Sequence, residues 1–352
     1  MTRTESHDRK QALDEFIKAM PKVELHLHIE GTLEPESAFR FAQRNGVSLD
    51  FENVEALRRA YDFENLQSFL DLYNATMSVL CTEEDFFDLT WDYLARVAEQ
   101  NVVHTEIFFD PQGHTRRGIP FATVVAGISR ALEAGRQHFG ISSRLILCFW
   151  RHLSEEDAFA TWAQAQPHLD HITAVGLDSS EVGHPPEKFQ RVYAAARAAG
   201  LKAVAHAGEE GGPDYIRGTL DTLQVDRIDH GIRCFEDSAL VHRLIDEQTP
   251  LTLCPLSNLR LGVSKNLVSY NLARMLALGL NVCINSDDPA YFGGYITENL
   301  LAVRVAQDLV AAQVLTLGRN AIDASFLGAE DKAALHRRLE AVAVEHGFGP
   351  SG

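Results

Sequence analysis

No run of 18 or more apolar residues occurs in the 352-residue sequence, so no segment reads as a membrane-spanning helix. The opening stretch MTRTESHDRKQALDEF is charged and has no apolar core, which speaks against a secretory signal. Positive charge is scarce. With 32 Lys and Arg against 49 Asp and Glu, the net charge is −17. Nucleic acid is therefore not expected as a partner, because phosphate contacts need clustered cations. Cysteine is also sparse: Cys81, Cys148, Cys234, Cys254 and Cys283 form no C-x-x-C pair, and their number is odd. They read as reduced thiols of a cytoplasmic protein. Internal repeats, low-complexity tracts and Ser/Gly linkers are missing as well.

What is present is ordinary globular composition, 45% apolar, enough for a large core and against wholesale disorder. Short β-type runs alternate with helical patterns. The runs fall at 23–29, 102–109, 144–150, 172–178, 202–207, 227–230, 251–254 and 281–285. Thr82 with Asp85 starts one helix, whose stripe is Phe86, Leu89, Tyr93, Leu94 and Val97, and Asn101 closes it. Pro185-Pro186 leads into a helix at 188–199 that Gly200 ends, and another at 270–278 stops at Gly279. Eight strands alternating with helices predict an α/β fold, a (β/α)8 TIM barrel, as one domain over 1–352. The roughly 70 residues between the first two strands exceed what a barrel connection needs, so extra helices are expected as an insertion at about 35–100. Terminal helices are expected at about 296–348.

Fifteen histidines are the first sign of chemistry. In the first strand, Glu24, His26, His28 and Glu30 alternate with Val23, Leu25, Leu27 and Ile29, which places the four polar residues on one face. Imidazoles at i, i+2 on a strand can converge on one metal ion; a polar face turned to water is the plainer alternative. Three further strands also end in polar residues at Gly or Pro turns: His206-Ala-Gly-Glu209-Glu210, Asp229-His230-Gly231, and Asn285-Ser286-Asp287-Asp288-Pro289. Such ends form the rim at which barrel enzymes carry their sites. Three imidazoles and a carboxylate make a nitrogen/oxygen set suited to Zn²⁺ with room for water. The fourth strand ends Asp178-Ser-Ser-Glu181 without a lysine to bridge two metals, which favours a single ion.

The segments HLHIEG, HAGEEG, DHG and NSDDP, in this order from Pro21 to about Tyr295, resemble the adenosine/adenine deaminase family of zinc-dependent barrels. The resemblance implies one zinc per chain held by His26, His28, His206 and Asp287. It also implies that Glu209 passes a proton to purine N1, that His230 orients or deprotonates the attacking water, and that Asp288 bonds N7. Because N7 of common adenine is an acceptor, either Asp288 is protonated or the base binds as another tautomer. Glu209 must carry a proton; burial beside Glu210 raises its pKa and a nearby metal opposes that.

The longer segments PKVELHLHIEGTLEP, HAGEEGGP, LTLCPLSN and INSDDPAYFGGY are similar to the adenine deaminases of bacteria and fungi. Adenosine-type members carry Asp where Glu30 stands here. The longer carboxylate is expected to address the N9 edge of a free base, the alternative being a plain rim charge. The resemblance thus implies a cytoplasmic hydrolase turning adenine into hypoxanthine and ammonia in purine salvage, with no nucleic-acid or membrane partner. Alternatives are deamination of adenosine, deamination of an N6-substituted adenine, or silent purine binding. Cys148, Cys254, Cys283, Phe108, Phe109, Phe149 and Trp150 read as core, and Asp110 and Gln112 have no assigned role. His104, His114, His138, His152, His168, His171, His184 and His242 have no converging partner in the sequence and read as structural or exposed.

Overall fold

Burial on both faces is what a parallel sheet wrapped by helices requires, and the strands show it. The computed structural model describes residues 3–63 and 65–349. Its strands are β1 (Lys22–His28), β2 (Val102–Phe109), β3 (Ser142–Trp150), β4 (Ala174–Asp178), β5 (Lys202–Ala207), β6 (Arg227–His230), β7 (Leu251–Leu253) and β8 (Val282–Ile284). They lie side by side in chain order, each parallel to the next. Closure is made just beyond β8. The Asp287 N–H donates to the His26 carbonyl (3.0 Å), and the His28 N–H donates to the Asp287 carbonyl (3.0 Å). Leu27 and Asp287 thereby form a parallel bridge, and the Asn285 side chain accepts from the Leu25 N–H (2.7 Å). The sheet is a (β/α)8 barrel.

The expected strands fall where the sequence places them, with shifted ends. β4 starts at Ala174 because Gln166–His171 winds as a 3-10 turn and Ile172 only caps it. The helix expected at 188–199 splits into a 3-10 turn, Pro186–Phe189, and an α-helix, Gln190–Ala198. Helix Glu83–Ala98 has the Thr82/Asp85 capping box, and Asn101 turns the chain with φ 59°. The insertion between β1 and β2 holds helices Pro35–Asn45, Val54–Ala60, Leu66–Met77 and Glu83–Ala98. After β8 come Ile296–Gln307, Ala311–Ala324 and Ala329–Glu345. A helix ahead of β1, Arg3–Ala19, has no counterpart in the sequence reading; it buries Leu13, Phe16 and Ile17. None of the helices among the described residues is long and apolar enough to cross a membrane.

One feature of β1 departs from simple alternation. Its register against β2 slips between Glu24 and Leu27, a bulge that adds a residue to β1. Glu24 therefore does not share a face with the two histidines. It meets Tyr93 of helix Glu83–Ala98 (2.7 Å) and Ser286, whereas His26 and His28 pack against Phe108 and His206. Deeper in the barrel a fully buried ion pair joins Arg227 of β6 to Glu106 of β2 (2.6 Å), and Arg227 also donates to the Leu25 carbonyl (2.9 Å).

Removing one partner of a buried pair strands the other charge. Arg227→Met is expected to lower unfolding free energy by about 3–5 kcal/mol in denaturant titrations. The double variant with Glu106→Gln should lose less than the sum of the two single losses.

Candidate active site

Four strand ends bring their polar side chains to one buried point. His26 and His28 come from β1, His206 from β5 and Asp287 from the turn after β8, all at most 6% exposed. One ligand-type atom from each lies within 4.8 Å of the other three. His28 Nε2 faces His206 Nε2 at 3.2 Å, and His26 Nε2 faces Asp287 Oδ1 at 3.2 Å. The hydrogen-bond order behind the rings decides what these atoms offer. Thr252 gives its only hydroxyl hydrogen to Asp229 (2.9 Å), so His26 Nδ1, 2.9 Å from the same hydroxyl, must be the donor. With Nδ1 so used, His26 Nε2 faces a carboxylate and has no hydrogen-bond partner. Burial pulls the pKa of His28 and His206 below the ordinary value, so both are neutral and each has a lone pair available. Three ring nitrogens and a carboxylate oxygen gathered this closely in a buried place could hold a cation between them. The set fits a metal ion, and three nitrogens with one oxygen fit zinc among the common ions.

His230 and Glu209 stand beside this cluster. His230 Nε2 lies 3.6 Å from Glu209 Oε1 and 3.7 Å from Asp287 Oδ2. Tyr270 donates to Asn258 Oδ1 (2.8 Å), which leaves the Asn258 amide nitrogen to meet His230 Nδ1 (3.3 Å). In that arrangement the ring proton of His230 sits on Nε2 and points into the site. Burial pulls the His230 pKa down to about 3, so the ring is neutral. Both His230 (φ 68°) and Asp287 (φ 65°) occupy the left-handed region, a strain of about 1–3 kcal/mol each that is typical of residues aimed for function.

The loop carrying Glu209 is held by a residue to which the sequence reading gave no role. Glu181, after β4, accepts from the backbone N–H groups of Gly208 (2.7 Å), Glu209 (3.1 Å), Glu210 (2.9 Å) and Gly211 (2.7 Å). Glu209 is raised well above an ordinary carboxyl, first by burial and then by the charges of Asp287, Glu181 and Glu210. Asp288 is raised likewise, by burial and by Asp287. The turn at Gly31 leaves no room for a side chain, since a Cβ there would lie 2.0 Å from Asp288 Oδ1.

A cavity opens over the cluster. Glu209, His230, Asp287 and Asp288 line it with His28 and His206, and helix Leu66–Met77 of the insertion adds Phe69 and Tyr73 to its wall. Trp150, Asp110, Asp178 and His152 line it too; Trp150 packs against the core as expected and also faces the cavity, and His152 is exposed, as one of its two readings had it. Asp178 lies 3.5 Å from His28 Nδ1. Gln112 accepts from the Trp150 N–H (2.7 Å). Glu30 is fully buried rather than a rim charge, and it does not line the cavity. It accepts from the Asp110 N–H (3.1 Å) and pairs with His114 (2.8 Å), so His114 does have a converging partner. No linear motif marks Asp178 or Glu181; Asp229 and Asn258 lie within DHG and LTLCPLSN, but what each supports shows only in the packing.

A barrel with a buried His₃Asp cluster at its rim defines a metal-dependent hydrolase of the amidohydrolase type. A family model described as adenosine deaminase matches residues 21–342, and the chain belongs to that family. It is 56% identical over 334 residues to a protein named adenine deaminase from Hahella chejuensis, covering 95% of this chain and 100% of the relative. The crystal structure of an adenine deaminase from Arthrobacter aurescens is 50% identical, with a TM-score of 0.90, 91% of this chain and 98% of that one being covered. An amidohydrolase from Burkholderia ambifaria, crystallised with bound Zn, is 27% identical with a TM-score of 0.87, covering 96% of this chain and 95% of that one.

Glu181→Gln halves the acceptor capacity facing four N–H groups. It is expected to lower stability by about 2–3 kcal/mol in calorimetry, and kcat should fall because the Glu209 loop loosens. Added divalent metal should raise the Tm of metal-stripped protein by mass action, and His206→Ala should abolish that rise.

Proposed function

We propose that the chain is an adenine deaminase, converting adenine and water to hypoxanthine and ammonia in cytoplasmic purine salvage, with residues 1–352 acting as one catalytic domain. The observation that carries this reading is the convergence of Glu209, His230, Asp287 and Asp288 on one cavity beside the three-imidazole cluster. The similarity to proteins named adenine deaminase along nearly the whole chain supports the choice of base. His26, His28, His206 and Asp287 would hold one zinc ion. When bound, it supplies the positive charge that makes water a nucleophile at neutral pH.

The chain's own groups do the remainder. Addition of water oxygen at C6 breaks the ring's aromaticity, and a proton delivered to N1 by Glu209 relieves that cost. Burial keeps Glu209 protonated where an ordinary glutamate is ionised, so it has the proton to give. His230, with its proton on Nε2, holds the attacking water by donating to it. Asp288 meets N7, and because burial favours its neutral form it donates there, which fits the common tautomer of adenine. When the C6 adduct collapses, the C6–N bond breaks and the amino group leaves as ammonia; of the two protons of the water, one replaces the proton that Glu209 gave to N1 and the other passes to the departing amino group, leaving the oxygen as the C6 carbonyl.

The test is ammonia release from adenine, adenosine and N6-alkyladenines by zinc-loaded enzyme; adenine is expected to be preferred, and equal turnover of adenosine would refute the substrate assignment. Glu209→Gln should lose about 10²–10⁴-fold in kcat with its metal content intact. Because burial raises the pKa of Glu209, kcat/KM should hold through the ordinary carboxylate range and fall only at higher pH, as Glu209 deprotonates. A fall already complete near about pH 4–5 would contradict the assigned role.

A further inference from the structure

The bulge that takes Glu24 off the histidine face puts its carboxyl against the turn that carries Asp287. Glu24 is fully buried. Its Oε1 accepts from the Ser286 hydroxyl and its Oε2 from the Tyr93 hydroxyl (2.7 Å), and Tyr93 Oη lies 2.8 Å from Thr105 Oγ1 of β2. The deamination steps use none of these four side chains. Burying a carboxyl costs free energy that an apolar residue in the same place would not, so Glu24 calls for a use other than packing.

Ser286 immediately precedes the ligand, and the two side chains point to opposite sides. Asp287 turns inward to His26 and His28, whereas Ser286 turns outward to Glu24, behind which stands Tyr93 of helix Glu83–Ala98. The turn is thus docked on β1 at three successive residues. Asn285 accepts from the Leu25 N–H (2.7 Å), Ser286 donates to Glu24, and Asp287 bonds the backbone of His26 and of His28, each at 3.0 Å. Backbone bonds fix where the turn lies along β1. The contact on the outer side opposes rotation of the turn about its own axis, the movement that would swing the Asp287 carboxylate away from the rings. Left-handed backbone such as that of Asp287 (φ 65°) persists only where its surroundings hold it firmly.

We propose that Glu24 is a positioning residue that holds the Asp287 carboxylate in place for the metal ion through Ser286. This rests on His26, His28, His206 and Asp287 being a zinc site, and not on which purine is the substrate.

The experiment measures the dissociation constant of Zn²⁺ by competition between metal-stripped protein and a chelating dye, beside the Tm of each metal-free variant. Ser286→Ala deletes the contact with the loss of one oxygen atom and is expected to weaken zinc binding by about 10–100-fold. Tyr93→Phe is the control for a merely structural role. It removes an equivalent donor from the same carboxyl on the side away from the turn, so it should lower the metal-free Tm comparably and leave zinc affinity nearly unchanged. Glu24→Gln can still pair with both hydroxyls, giving an N–H to one and accepting from the other, and should keep most of the affinity. Glu24→Leu cannot, and should lose as much as Ser286→Ala; the double variant should lose no more than either alone, because both break one contact. Zinc affinity that Ser286→Ala leaves intact, or lowers no further than Tyr93→Phe does, overturns the proposal, as do additive losses in the double variant. Should Glu24→Leu fail to fold, Ser286→Ala against Tyr93→Phe decides. Unaltered protein that binds no Zn²⁺, or His206→Ala that binds it equally well, overturns instead the zinc reading beneath the proposal.

Discussion

The parallel sheet becomes a barrel where the turn after β8 meets β1, and Asp287 makes the backbone part of that meeting. Asp287 takes the carbonyl of His26 and gives its own carbonyl to the N–H of His28, so its backbone is clasped between the two histidines of the first strand. The same clasp fixes its side chain against theirs, with Asp287 Oδ1 at 3.2 Å from His26 Nε2 and 3.6 Å from His28 Nε2. Closure of the fold and assembly of the cluster are therefore one event. The left-handed backbone at Asp287 is tolerated because both of its neighbours on β1 hold it in place.

Concentrating so many acceptors in a dry interior is unfavourable unless something is set against it. Behind each ring stands a polar partner. Thr252 and Asp229 back His26, Asp178 lies behind His28, and Asn258 with Tyr270 backs His230. These partners fix the tautomers and orientations that a metal needs. Glu181 does the equivalent for the following loop, where one carboxylate gathers four backbone N–H groups. Glu209 itself, buried with the charges of Asp287, Glu181 and Glu210 nearby, favours its proton.

Much of this was legible in the linear chain. Strands of a helix-wrapped parallel sheet are continuous apolar runs, and β2, β5 and β6 fall at the expected residues. The ligand candidates were readable because polar residues interrupt those runs at strand ends, next to Gly or Pro. Other features were not legible. Glu24 was placed with the histidines by simple alternation, and only the bulge in β1, a matter of pairing with β2, takes it off that face. His114 and Glu30 are 84 positions apart and meet through the docking of the turn after β2 onto the one after β1. Asp178 sits in a sequence context no different from an ordinary cap, and although Asp229 and Asn258 lie within DHG and LTLCPLSN, nothing local says which histidine each one backs. Contacts between distant segments carry no local signature, so their partners appear only in three dimensions.

The placement of the four cluster residues has a bearing on how the molecule is made. His26 and His28 lie near the start of the polypeptide, and Asp287 lies more than 250 positions later, beyond the final strand. On a translating ribosome the first seven strands emerge before the residue that locks the ring has been synthesised. The nascent chain must hold an open sheet, with its two terminal strands unjoined, until the last fifth of the message is read. The complete four-residue set accordingly exists only once position 287 has been added, late in the making of the chain.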